Sequence, residues 1–156
     1  MRLLVDTHYW LWYLLAPEKL SADTQALFRS DENEVFLLVA SAWEIGIKHA
    51  LGKLRWPLAP GDYIPDRTVA LGHRTAPIEL RHVVHIAQLP LHHRDPFDRV
   101  LVAQAQVDGL KLVTADRQLT AYAVDQVWAG QGQGEVDPQG RGSADSLSSA
   151  RTPNAR

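Results

Sequence analysis

The sequence predicts an α/β fold in which a central parallel sheet is flanked by helices. Two observations carry this. Largely apolar runs of strand length, at Arg2–Val5, Val35–Val39 and Leu110–Thr114, lack the alternation of a half-exposed sheet and read as strands buried on both sides. Stretches of helical length separate them, and strands alternating with helices imply right-handed crossovers between parallel neighbours. With 156 residues, 46% of them hydrophobic, the chain suffices for one domain around a single core.

The first strand ends abruptly in Asp6-Thr7. His8 to Leu15 is aromatic and helical in length, and Pro17 stops it. Ser21 caps a second helix through Phe28, with Ala22 and Ala26 on its buried face. After the second strand, Ser41 opens a helix over Ala42–Leu51, closed by Gly52 in the C′ place. Residues 53–76 are the least readable. Trp56-Pro57 and Ala59-Pro60 are loop signals, and a helix around Asp62–Leu71 is capped by Gly72, with Pro65 tolerable only near its start.

Pro77–Leu80 is expected as a short strand and Arg81–Gln88 as a helix. In the next helix Pro96, with its fixed φ and missing N–H, suits the first position, so Asp95 is the N-cap. Asp98 then lies in the first turn, at the positive end of the helix dipole, and the apolar run from Val100 to Val107 buries the helix. Asp116 follows the Leu110–Thr114 strand and can cap a short helix over Arg117–Tyr122, and Val127-Trp128 is a last short strand. Beyond Gly130 hydrophobic periodicity ends, and glycines, serines and two prolines take over. The expected organisation is a folded domain at 1–129 and a disordered Gly/Ser/Gln-rich tail at 130–156.

Composition narrows the function. No cysteine is present, so disulfides and cysteine-based zinc sites are excluded. Asp6 interrupts what a signal peptide would need as an apolar run, and Tyr9–Leu15 is too short to cross a bilayer. The expectation is a soluble, cytoplasmic protein without membrane contact. A formal net charge of −2 does not advertise nucleic-acid binding, but the positive residues cluster. Lys48, His49, Lys53 and Arg55 form one group; His92, His93, Arg94 and Arg99 form another beside the central acids. The histidine pair at 92–93 is read as solvated loop.

In an open parallel sheet, ligands bind beyond the carboxyl ends of the strands. Asp6, Glu44, Asp98 and Asp116 all fall at that edge, with the hydroxyls of Thr7 and Thr114 beside them. Four converging carboxylates repel one another unless a cation neutralises them, and oxygen ligands with open positions suit Mg2+ or Mn2+. Each acid also has a structural explanation. Glu44 completes a Ser41-x-x-Glu44 capping box and precedes Lys48 at i,i+4; Asp98 complements a helix dipole, Asp116 caps, and Asp6 is a loop acid. Those explanations leave the shared edge unaccounted for.

Together these segments resemble a PIN-domain ribonuclease of the VapC toxin type. The matching stretches are Leu4–His8, Ser41–Ile45 with Lys48, Leu51–Leu54, His93–Arg99, Ala103–Ala105 and Leu112–Asp116, in the family's order. Arg94-Asp95-Pro96-Phe97-Asp98-Arg99 and Ser41-Ala42-Trp43-Glu44 are the specific signals. The resemblance implies a PIN-like three-layer sandwich. It implies that Asp6, Glu44, Asp98 and Asp116 hold Mg2+ or Mn2+, with Thr7, Thr114 and Asp95 as supporting polar groups. Hydrolysis of RNA phosphodiesters is the implied activity, with Lys48, Arg94 and Arg99 offered to the RNA. It further implies a cognate antitoxin protein and a homodimer. The aromatic stretch Tyr9–Tyr13 is a candidate surface for either partner, although core filling explains most of its rings.

Three other readings compete. Aspartate-nucleophile phosphatases need a second Asp two residues after the first, where this chain has His8. A Mg2+-binding receiver-like signalling domain wants an acid pair before the first acid-bearing turn and a late lysine, and neither is found. A PIN-fold RNA-binding module without cleavage is not favoured, since all four acids are present.

Overall fold

The computed structural model describes residues 1–56 and 58–130, so the expected tail lies outside the described residues except for Gly130. Five strands form one sheet: β1 (Arg2–Val5), β2 (Glu34–Leu38), β3 (Arg74–Ala76), β4 (Lys111–Thr114) and β5 (Gln126–Trp128). Every pairing is parallel, and the order is β3-β2-β1-β4-β5. The chain builds outward from β1 on one side, then crosses back to lay β4 along its other edge. That reversal puts a crevice beyond the carboxyl ends of β1 and β4, where acids follow both strands.

Alternation along the strands divides the core in two. Leu3, Val5, Val35, Leu37 and Val113 face one helical layer, formed by α1 (Thr7–Leu15), α2 (Ala22–Arg29), α3 (Val39–Ala50) and α4 (Pro60–Ala70). Leu4, Leu38 and Leu112 face the other, where α6 (Pro96–Asp108) packs through Leu101–Ala103 and Ala105 beside α5 (Leu80–Ile86). The result is the expected three-layer sandwich with a parallel sheet between helices.

Several elements differ from expectation for identifiable reasons. The third strand is Arg74–Ala76, not Pro77–Leu80. Pro77 has no N–H to give a ladder, so pairing stops before it, and Glu79 instead caps α5 in a reciprocal box with His82. Helix α3 begins at Val39, directly off β2, with Leu38 at the N-cap and no side-chain cap bond. Ser41 is therefore buried inside the first turn, and the expected Ser41–Glu44 capping box does not form. On α2 the buried positions are Thr24 and Phe28, while Ala22 and Ala26 face solvent. Helix α4 starts at Pro60, which puts Pro65 in its second turn rather than at its start. Nearby, Thr68 Oγ1 donates to the carbonyls of Ile64 and Pro65 at 3.0 and 2.8 Å.

Other signals stand as read. Ser21 caps α2 by accepting from the Thr24 amide. Gly52 and Gly72, at φ 66° and 67°, follow α3 and α4 in the left-handed conformation that ends a helix without a Cβ clash. Gly130, two residues beyond β5, is tied to the start of α2: its carbonyl accepts from the amide of Ser21 at 2.9 Å and the hydroxyl of Thr24 at 3.3 Å.

Candidate active site

Asp6 leaves the end of β1 and serves as N-cap of α1, accepting from the His8 amide at 3.0 Å. Its other oxygen accepts from the Thr114 hydroxyl at 2.8 Å, and Thr114, at the end of β4, is fully buried. The same hydroxyl accepts from the Asp116 amide at 3.0 Å. One threonine thus ties the acid after β1 to the acid after β4. Asp116 caps the following 3-10 turn through the Gln118 amide, which leaves one of its oxygens turned elsewhere.

Asp95 is the N-cap of α6 and accepts from the amides of Phe97 and Asp98 at 2.8 and 3.3 Å. Asp98, in the same first turn, is not the cap, and its carboxylate lies towards His93 and Asp116. Burial first, and then the charges of Asp6, Asp95, Asp116 and Glu44, push its pKa up to about 8. Burial likewise raises Asp6 to about 6, against the pull of the His8 amide and the Thr114 hydroxyl, with Glu44 and Asp116 adding to the rise. Glu44 comes from the second turn of α3, not the first, and its Oε1 lies 2.7 Å from Lys48 Nζ. Thr7 is buried at the first position of α1.

The carboxylates therefore act on one another across the crevice, although they come from four elements. Asp98 and Asp116 share their space with a group that sequence reasoning set aside. The His93 ring lies with Nδ1 3.4 Å from Asp98 Oδ2 and Nε2 3.6 Å from Asp116 Oδ2. One donor atom from each of these three residues falls within 4.8 Å of the others, a group that does not include Asp6 or Glu44. Oxygen donors whose charges repel in this way fit a hard divalent cation.

A family model described as the PIN domain matches residues 3–125. The chain belongs to the PIN domain family. Ribonuclease VapC22 of Mycobacterium tuberculosis is 31% identical over 125 residues, which cover 76% of this chain and 90% of that protein. Ribonuclease VapC16 of the same organism is 37% identical over 63 residues, 40% of this chain; the matched stretch is about half of that relative, 45% of its length. Among solved structures, VapBC2 from Rickettsia felis bound to a promoter DNA fragment has a TM-score of 0.62 at 9% identity, over 83% of this chain and 99% of that one. DNA-bound VapBC from Salmonella typhimurium has a TM-score of 0.61 at 13% identity, over 82% and 98%. These likenesses establish the PIN fold and set aside the receiver and phosphatase readings.

Within the PIN domain, the basic residues divide. Arg94 is exposed beside the acids. Arg99, half-buried, spends its guanidinium on main-chain carbonyls. Its Nη1 donates to the Pro90 carbonyl at 2.9 Å and its Nη2 to those of Ile86 and Leu89 at 3.0 and 3.1 Å. It collects the open carbonyls at the end of α5 and ties the following loop to α6. His93 rides on that loop, its amide donating to the Tyr122 hydroxyl at 2.9 Å, so the ring is a fixed part of the crevice and not solvated loop. His92 is exposed, with its ring edge-on to Tyr122. The aromatic stretch of α1 packs mainly inward: Tyr9 and Trp10 are buried, and Leu11, Trp12 and Tyr13 lie half-buried against the same core.

Proposed function

We propose that this chain is a divalent-cation-dependent endoribonuclease that acts as the toxin of a toxin–antitoxin pair. The observation that carries the reading is the gathering of Asp6, Asp98 and Asp116, with Glu44 acting through its charge, at the carboxyl edge of β1 and β4. Catalysis of phosphodiester hydrolysis is mainly positioning and charge neutralisation. When bound there, Mg2+ or Mn2+ lowers the pKa of a water and offsets negative charge on the phosphate. Asp98 and Asp116 are the residues best placed to hold the ion, with Asp6 and Glu44 supplying further negative charge.

The chain's own groups do the rest. Thr114 fixes the rotamer of Asp6 and the backbone of Asp116 at once, so both acids are placed before substrate arrives. Asp95 saturates the amides at the start of α6, which leaves the Asp98 carboxylate for the crevice. Lys48 balances Glu44 and, with Arg94, gives the rim positive charge for an RNA backbone. Burial and repulsion by the neighbouring acids raise the pKa of Asp6 and of Asp98, and a bound cation would relieve that repulsion.

An antitoxin protein as partner, an RNA substrate and a homodimer complete the proposal, in keeping with the VapC relatives and the VapBC assemblies whose fold this chain shares. None of the helices among the described residues is long and apolar enough to cross a membrane. Induced expression in a bacterial host tests the biological role. Wild type should arrest growth and Asp98→Asn should not, at equal protein levels. Equal arrest by both would remove the acid site from the toxicity.

A further inference from the structure

We propose that His93 is a nitrogen ligand of the divalent cation, making the site a mixed imidazole–carboxylate centre that favours Mn2+ over Mg2+. The inference rests on the acid site proposed above and adds a residue to it from outside the carboxylate set.

Three features place the ring. Its two nitrogens face the two carboxylates best placed to share an ion, at 3.4 Å to Asp98 and 3.6 Å to Asp116. Donors from the three residues lie within 4.8 Å of one another, a span that a single ion with bonds of about 2.0–2.3 Å can bridge. The loop beneath is held by main-chain bonds to side chains: the His93 amide reaches Tyr122, and Arg99 holds the carbonyls of Ile86, Leu89 and Pro90. The side chain is only 13% exposed. A loop histidine that merely solvates itself needs none of this fixing.

The proton inventory of the ring is compatible. Nδ1 accepts from the Asp95 amide at 3.1 Å, so the neutral ring in this geometry carries its proton on Nε2, towards Asp116. Ligation by Nε2 needs the other tautomer, with the proton on Nδ1. The proton on Nδ1 then points to the exposed side of the loop, where water accepts it, and Asp98 stays free to share the ion. The exchange releases the Asp95 amide, whose bond is exposed, so water can replace the ring there. Mn2+ is the weakest of the first-row divalent ions for nitrogen ligands but accepts an imidazole, whereas Mg2+ holds more strictly to oxygen and its waters, hence the expected order of preference.

Pulsed electron paramagnetic resonance of Mn2+ bound to the full-length protein reads the ligand directly. Wild type should show nitrogen modulation from a coordinated imidazole, and His93→Ala and His93→Asn should lose it while still binding Mn2+. Competition between the two ions should show the Mn2+ preference falling about tenfold in both variants. Circular dichroism of the two variants guards against misfolding, and the wild-type spectrum needs no variant at all. Mn2+ bound without nitrogen modulation, or modulation that persists without His93, overturns the inference and leaves the acid site standing. Failure of wild type to bind Mn2+ or Mg2+ overturns both.

Discussion

The Thr114 hydroxyl donates to Asp6 Oδ2 at 2.8 Å, joining residues 108 positions apart in the chain. The bond is buried, and the same oxygen takes the amide proton of Asp116. It couples the carboxyl ends of two neighbouring parallel strands at the point where the sheet order reverses. A single hydroxyl therefore sets the geometry of two acids.

Thr114→Val keeps the shape of the side chain and removes both bonds. The Asp6 carboxylate then loses a donor that holds its pKa down, and the Asp116 amide loses its acceptor. Stability should fall by about 1–3 kcal/mol, and RNA cleavage at neutral pH should drop more than substrate binding does. Denaturant unfolding and single-turnover kinetics check the two effects. Unchanged cleavage would mean that Asp6 needs no such support.

Asp95 and Asp98 should separate cap from ligand. Asn caps a helix about as well as Asp, so Asp95→Asn should fold normally and keep most of its activity. Asp98→Asn should fold as well or better without added cation and lose cleavage and cation binding. Comparing thermal midpoints and metal-dependent cleavage of one RNA settles the assignment, and the opposite pattern would reverse it.

The raised acids make a pH prediction with a definite sign. Asp98 moves from an ordinary 3.8 to about 8, so between those values the native state keeps a proton that the unfolded chain has released. Its contribution to stability is complete below about pH 4 and disappears as pH rises towards 8. Asp6 adds the same trend up to about 6. Without divalent ions, the midpoint of wild type minus that of Asp98→Asn should fall as pH rises from 5 to about 8. Saturating Mn2+ should lift wild type most at the upper end. A difference that grows with pH would contradict the burial and charge assigned to Asp98.

Arg99 should prove structural. Arg99→Lys keeps the charge but cannot span the carbonyls of Ile86, Leu89 and Pro90 together. A loss of about 2 kcal/mol or more is expected, with Mn2+ affinity reduced because the His93 loop loosens. An RNA-contacting arginine would show the reverse: stability kept, and RNA affinity reduced with a shallower salt dependence.

The elements that position the site were largely legible, because they rest on local chemistry. An apolar run ending in Asp6, Pro96 behind a capping Asp95, and Asp116 ahead of a short turn each carry their own signal in neighbouring residues. Ser41-x-x-Glu44 had the right letters for a capping box, yet β2 runs into α3 without a loop and the helix starts three residues early. Strand β3 is a short edge strand with Arg74 and Thr75 exposed, so no apolar pattern marks it. His93 was missed because its importance comes from Arg99 and Tyr122, which hold its loop from α6 and from the turn after Leu119.

The central claim is that the acids beyond β1 and β4 cleave RNA with the help of a divalent cation. The most direct measurement is cleavage of a labelled single-stranded RNA by the purified full-length protein, with Mn2+ or Mg2+, with EDTA, and with cation restored, beside Asp98→Asn. Cleavage that needs the cation, stops with EDTA, returns on restoration and is absent from Asp98→Asn is the predicted result. Cleavage that persists in EDTA, or an Asp98→Asn protein as active as wild type, would contradict it.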